Sequence, residues 1–448
     1  MTLTHADFPK DFFWGVATSS YQIEGAVREG GRGESIWDRF AHTPGKTHGG
    51  DTGDIACDHY HRFRDDIALM QWLGVSHYRF SLAWPRIIPD GVGPVNQAGL
   101  DFYDSLIDAL LAANIQPLIT LYHWDLPQAL QDRGGWANRA TAEAFAYYAG
   151  VAASRLGDRV SLWATHNEPW CTVFLGHHTG LFAPGLTDLT IALQASHHVL
   201  LSHGLAVSAL RGTLPASAQV GLCLNLDPAQ PASNSHADQQ AALRQDGYFN
   251  RWFLDPLAGR GYPQDMWDYY SQQATMPDIQ PNDLSLIASP MDYLGVNYYN
   301  RDIVADDLTA PAPGVRMAQD PARPRTADRE IYPEGLFDLL TRLQAEYPFT
   351  PIYITENGAA FDDMLTEDGR VHDAGRIAFY EAHLAQAERA VKAGVPIKGY
   401  FLWSLMDNFE WAMGYSLRYG MTHVDYATQK RTPKDSAHWY REFLRKNQ

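Results

Sequence analysis

The chain has 448 residues, 45% of them apolar and 19% charged, a globular composition with ample material for a core. Its 35 basic residues stand against 52 acidic ones, a formal charge of -17, and no Lys/Arg run marks a basic patch. Nucleic acid and anionic membrane are therefore excluded as main partners, because both need a positive face. Cys57, Cys171 and Cys223 are too few and too scattered for a disulfide framework, and no Cys-x-x-Cys pair occurs, so a reducing, cytoplasmic compartment is expected. The amino-terminal "MTLTHADFPK" has no apolar signal core, and no stretch approaches the roughly 18 uninterrupted apolar residues of a membrane span.

Eight short runs rich in β-branched or aromatic residues recur along the chain: "FFWGVATS" (12–19), "HYRFSL" (77–82), "QPLITL" (116–121), "LWATHN" (162–167), "VGLCLNL" (220–226), "YLGVNYY" (293–299), "PIYITEN" (351–357) and "GYFLWS" (399–404). Each has the length of a strand. They start 39 to 73 residues apart, which leaves room for a helix and a loop every time. Tyr60, Phe63, Ile67, Met70 and Leu73 fall at helical steps before Gly74, and Phe102, Leu106, Ala109 and Leu110 do so before Asn114. Eight β-then-α units predict an α/β fold, a (β/α)8 TIM barrel running as a single domain over residues 1–448 with long loops on its carboxyl-terminal face. A doubly wound open sheet is the alternative, but its Gly-rich phosphate turn is missing. "GVGPVN" has two of the three glycines and follows a Pro-rich loop. The Pro-rich segment from Arg301 to Pro333 follows the sixth strand and is expected on the rim of a cleft, with a plain flexible insertion as the alternative.

Barrel chemistry gathers at the carboxyl ends of the strands. There the sequence places Tyr21, Gln22 and Glu24; Arg79; Tyr122, His123, Trp124 and Asp125; His166, Asn167 and Glu168; Asn225; Asn297 and Tyr299; Glu356; and Trp403, followed by Glu410 and Trp411. Amides, imidazole, indoles and carboxylates together suit a sugar, whose hydroxyls need donors and acceptors and whose C–H face packs on an aromatic plane. Glu168 in "THNEPW" and Glu356 in "ITENG" stand out. Either alone reads as a turn or a helix start, but two carboxylates facing one pocket are the minimum apparatus for glycoside cleavage. One must be protonated and the other ionised, so their environments must differ. "CDHYHR", with Cys57, His59 and His61, does not read as a metal site, since steps of two do not align ligands on one helical face.

"FPKDFFWGVATSSYQIEGA", "YRFSLAWPRI", "YHWDLP", "THNEPW", "GVNYYN", "YITENG" and "FLWSLMDNFEW" resemble, in order, the successive blocks of family 1 glycoside hydrolases, the β-glucosidase family. The resemblance implies hydrolysis of small β-glycosides or β-linked oligosaccharides with retention, without metal or other cofactor. It implies that Glu168 is the acid/base and Glu356 the nucleophile, with Arg79 and Tyr299 against Glu356 and Asn167 on the sugar 2-hydroxyl. Gln22, His123, Trp124 and Glu410 would grip the nonreducing sugar, Trp403 would form its aromatic floor, and Trp411, Asn297 and Tyr419 would complete that subsite. Trp170 and Asn225 would lie on the leaving-group side. An anionic Glu410 disfavours 6-phosphorylated sugars, whose enzymes place Ser here with Lys and Tyr nearby. Many members carry Gly-Trp-Glu before "IYPEGL", where this chain has "ADREIYPEGL" with Arg329 at the Trp position, so an altered, more polar leaving-group site is expected. β-Galactosidase or β-fucosidase activity and transglycosylation are the enzymatic alternatives. A non-catalytic glycan-binding barrel is the alternative from another class.

Overall fold

The computed structural model of the chain describes residues 3–445, so the first two residues of the amino-terminal stretch and the last three of the chain lie outside it. All eight expected strands form one closed barrel: β1 (Phe13–Ala17), β2 (His77–Ser81), β3 (Gln116–Tyr122), β4 (Leu162–Asn167), β5 (Gln219–Asn225), β6 (Tyr293–Asn297), β7 (Ile352–Asn357) and β8 (Ile397–Trp403). The expected ranges differ from these by at most two residues at either end. Every pairing is parallel, and β1 closes the ring on β8, with Phe13 opposite Gly399 and Ala17 opposite Trp403. The open doubly wound sheet is thereby ruled out, since no barrel strand is left as an edge.

The helices follow the predicted stripes. Helix α1 (His59–Leu73) buries Ile67, Met70 and Leu73, while Tyr60 and Phe63 are only partly covered. It stops at Gly74, whose φ of 85° suits a residue without Cβ. Helix α2 (Gln97–Ala112) buries Phe102, Leu106 and Leu110. Inside the barrel, Phe13, His77 and Tyr353 close the amino-terminal end, with the Phe13 and His77 rings stacked 3.9 Å apart. Burial pushes His77 down to about 4, so it packs as a neutral ring. Two residues further along β2, on the same inward face, comes Arg79, with no exposed surface.

The Arg301–Pro333 segment is an ordered rim. Its strands Asp302–Asp306 and Val315–Ala318 form a small sheet with Ala229–Pro231. Arg301 bonds Glu330 at 2.7 and 3.0 Å and lies 3.9 Å over the Tyr332 ring. The loop after β8 is tied down by a buried charge cluster. Lys434 donates to Asp363 at 2.5 Å and to Asp407 at 2.6 Å, Arg418 donates to Asp407 at 2.6 Å, and Arg376 donates to Asp363 at 2.6 Å. Among the described residues, no helix is long and apolar enough to cross a membrane.

Replacing Lys434 with Met leaves two buried carboxylates without their shared cation and should cost about 3 kcal/mol. Urea unfolding followed by circular dichroism measures this. An unchanged midpoint would show that Arg376 and Arg418 suffice.

Candidate active site

A cleft of about 410 Å³ opens at the carboxyl ends of the strands. Of the expected site residues, His123, Trp124, Glu168, Trp170, Asn225, Asn297, Tyr299, Arg329, Glu356, Trp403, Glu410, Trp411 and Tyr419 line it. Gln22, Arg79 and Asn167 have no exposed surface and are not among the lining residues. The Gln22 amide donates to Asn408 and to the Phe409 carbonyl, both at 2.9 Å, and so positions the loop that carries Glu410.

Both strands that present the glutamates are irregular just before them. On β7, Ile354 pairs with Val296 but Glu356 pairs with the very next residue, Asn297, so β7 bulges at Thr355. On β4, Ala164 pairs with Gly221 and Asn167 with Cys223, again one extra residue. Such bulges re-aim side chains. Here Thr165 and His166 both turn outward to the helix Leu189–Arg211, bonding His203 at 2.7 Å and Ser202 at 2.8 Å, and Asn167 turns inward. Glu168, Trp124 and Trp411 adopt φ values of 48°, 78° and 54°, uncommon for side chains of this kind. The Glu168 conformation is held by its N–H, which donates to the Cys223 carbonyl at 2.9 Å. Gly358 is required for space: a Cβ there would lie 1.7 Å from the Trp403 carbonyl oxygen.

The two carboxyl groups meet unlike surroundings. Glu356 accepts from Arg79 at 2.5 Å and from the Tyr299 hydroxyl at 2.7 Å, two donors that stabilise negative charge on it. Glu168 accepts from Asn297 at 2.7 Å and from the Cys171 thiol at 3.1 Å. Burial, and then the Glu356 charge, push Glu168 up to about 7. Asn167 links the parts: its Oδ1 accepts from Arg79 at 2.6 Å and Asn297 at 3.0 Å, and its Nδ2 lies 3.1 Å from His123 Nε2. Burial and the Arg79 charge hold His123 well below the ordinary imidazole range, so Nε2 accepts and Nδ1, which has no partner, carries the proton.

The Trp403 ring lies parallel to His123, 5.9 Å away, and Trp124 donates its indole N–H to the Asn167 carbonyl at 2.8 Å. Glu410 departs from expectation. Burial and the nearby Asp328 push it up to about 8, so in this cleft it is mostly protonated near neutral pH rather than anionic. Its Oε1 has no partner, and in this state the group can both donate and accept. Arg329 sits 4.8 Å over the Tyr299 ring and bonds Asp328 at 2.8 and 2.9 Å, and Asp328 also accepts from the Tyr419 hydroxyl at 2.5 Å. The rim at the expected Trp position is thus a held ion pair.

Several strand-end residues fall outside the cleft. Glu24 accepts from Arg86 at 3.0 Å and Tyr103 at 2.7 Å, Asp125 accepts from Ser20 at 2.7 Å, and Tyr122 accepts from Trp136 at 3.0 Å. Tyr21 packs among Trp37, Phe409 and Trp411. They sit on the alternate, outward face of the strands or in the layer behind the wall. Conversely, Cys171, Asp227 and Asp328 line the cleft without having been singled out. Only Cys171 carried a local signal, its place three residues after Glu168 at the start of a helical turn. In "CDHYHR", His59 pairs with Asp66 at 2.8 Å, His61 pairs with Asp58 at 2.6 Å, and the Cys57 thiol bonds the Asp407 carbonyl at 3.1 Å. No group of His, Cys, Asp and Glu among the described residues could hold a metal ion.

The chain is 47% identical to "Beta-glucosidase A" of Acetivibrio thermocellus over 98% of each chain. It is 44% identical to "Bifunctional beta-D-glucosidase/beta-D-fucosidase" of Bifidobacterium breve, again over 98% of each. The solved family 1 β-glucosidase from Thermotoga maritima in complex with isofagomine lactam superposes with a TM-score of 0.94 at 47% identity, covering 98% of this chain and 99% of that one. The model of glycosyl hydrolase family 1 matches residues 4–448, and the chain belongs to that family.

Proposed function

We propose that this chain is a retaining, exo-acting β-glucosidase working as a single catalytic domain, with Glu356 as nucleophile and Glu168 as acid/base. The observation that carries this reading is the unlike environment of two carboxyl groups on one cleft. Glu356 has a cation and a hydroxyl on its two oxygens, while burial raises Glu168 to about 7. Glu356 attacks the anomeric carbon as Glu168 gives its proton to the departing oxygen, leaving a glycosyl–enzyme ester. Glu168, now ionised, takes a proton from water as that water attacks the same carbon and frees Glu356.

Asn167 receives the sugar 2-hydroxyl, a contact that strengthens as positive charge develops on the ring. His123 Nδ1 and Glu410 Oε1, both without protein partners, offer hydrogen bonds to hydroxyls further round the ring. Trp403 forms the floor, with Gln22, Trp124, Asn297, Trp411 and Tyr419 completing the sugar site and Trp170, Asn225 and Arg329 on the leaving-group side. Cello-oligosaccharides fit this reading as substrates. β-Fucoside cleavage is the second reading, because the Bifidobacterium breve relative bears both names. Interception of the ester by a sugar hydroxyl would give transglycosylation. A purely glycan-binding role would not call for the two contrasted carboxyls. Three buried free thiols support a reducing, cytoplasmic compartment.

Glu356→Ala should lower hydrolysis of an aryl β-glucoside by roughly 10⁴-fold or more, and near-native turnover would overturn the nucleophile assignment. Because Glu168 must be protonated to act as acid, kcat/KM on cellobiose should fall as the pH rises through about 7; Glu168→Gln should lose cellobiose turnover and, on an aryl β-glucoside whose leaving group needs no proton, show no such limb. Glu410→Ser should reduce kcat/KM on aryl β-glucosides by roughly 10- to 100-fold, measured in initial-rate assays.

A further inference from the structure

Glu168, Cys171 and Asn225 form a row in which the mechanism above gives Cys171 no role. Cys171 Sγ lies 3.1 Å from Glu168 Oε2. On the other side of the sulfur, Asn225 Nδ2 lies 3.7 Å from Sγ, and Asn225 Oδ1 is buried without any hydrogen-bond partner. Cys171 is 6% exposed and Asn225 9%. Glu168 has to be protonated and ionised in turn within one catalytic cycle. Its Oε1 faces only a donor, Asn297 Nδ2, whose own Oδ1 is taken by the Thr355 hydroxyl at 2.7 Å, so the proton belongs on Oε2. A fixed donor at Oε2 would suit only the ionised form. A thiol carries one rotatable proton and a weakly accepting sulfur.

We propose that Cys171 is a positioning residue whose S–H follows the proton of Glu168. It donates to Oε2 when the carboxylate is ionised and turns to Asn225 Oδ1 when Oε2 is protonated. In the first state Asn225 Nδ2 donates to the sulfur across the 3.7 Å contact. In the second, a half-turn of the Asn225 amide puts Oδ1 in place of Nδ2, and no donor crowds Oε2. No covalent bond changes, and the thiol keeps its proton throughout, since burial and the Glu168 charge push it well above the ordinary thiol range.

The inference rests on Glu168 being the acid/base. The other charged or titratable groups that face this row are Glu356 on β7, Arg79 on β2, Asp227 after β5, Tyr248 on the turn after the Asp227 loop, Tyr299 after β6 and Arg329 on the rim, and none of them is substituted in the variants below. The test is the pH dependence of kcat/KM on cellobiose for the full chain. Cys171→Ala removes the donor to the ionised form and should move the basic limb up by about half a pH unit. Asn225→Leu leaves S–H no acceptor but Oε2, favours the ionised form, and should move the limb down by a similar amount. Cys171→Ser, whose hydroxyl turns in the same way, should bring the limb back toward that of the native chain. A limb that stays still in both of the first two variants, or moves the same way in both, would overturn the proposal. If Cys171→Ala does not fold, Asn225→Leu decides alone: an unmoved or raised limb overturns the proposal. Undiminished cellobiose turnover by Glu168→Gln, or a basic limb that survives in it on an aryl β-glucoside whose leaving group needs no proton, would instead mean that the acid/base assignment has failed.

Discussion

The site is organised around one buried cation. Arg79 has no exposed surface and stands at the centre of the barrel, where an unpaired guanidinium would be very costly. It is satisfied by Glu356 on β7 and by Asn167 on β4. Asn167 in turn meets His123 beyond β3 and Asn297 on β6, and Asn297 reaches Glu168. One charge on β2 therefore orients groups from four other strands, and it does so from below, leaving the upper faces of those groups to the cleft. Its further effects are electrostatic: it stabilises negative charge on Glu356 and keeps His123 neutral, and the Glu356 charge helps to hold a proton on Glu168.

Placing both carboxyls on one cleft carries a local cost. A strand of regular pleat alternates its side chains, and both β4 and β7 interrupt that alternation with one extra residue just before the glutamate. Glu168, Trp124 and Trp411 also hold left-handed backbone. A closed barrel tolerates this because its strands are paired on both sides and packed on both faces, so a distortion at one end of a strand does not spread. The rigidity that results holds the two carboxyls in their unlike surroundings.

The rim is built on ion pairs. Asp328 and Arg329 hold one another against Tyr299 and Tyr419, and through Tyr299 the rim touches the partner of Glu356. The loop bearing Glu410 and Trp411 is anchored by Gln22 from within and by Lys434 from outside.

Much of this was legible in the linear chain. Eight runs of β-branched and aromatic residues, spaced for helices, determine the barrel, and that topology assigns the residues at strand ends to one face. The motifs around Glu168 and Glu356 point to chemistry because the topology assigns two carboxyls to one cleft, where either alone would read as a turn or a helix start. Other features were decided only in three dimensions. Glu24, Asp125 and His166 stand at strand ends yet serve the helix layer, because a single bulge or the alternation of a strand turns a side chain from one face to the other. The raised pKa of Glu410 follows from burial and from Asp328, distant in sequence, and the contact of Cys171 with Asn225 joins the helical turn after β4 to the end of β5. Local pattern fixes which residues can form a strand and which face is buried. Charge state and hydrogen-bond partnership depend on desolvation and on neighbours that only the closed barrel brings together.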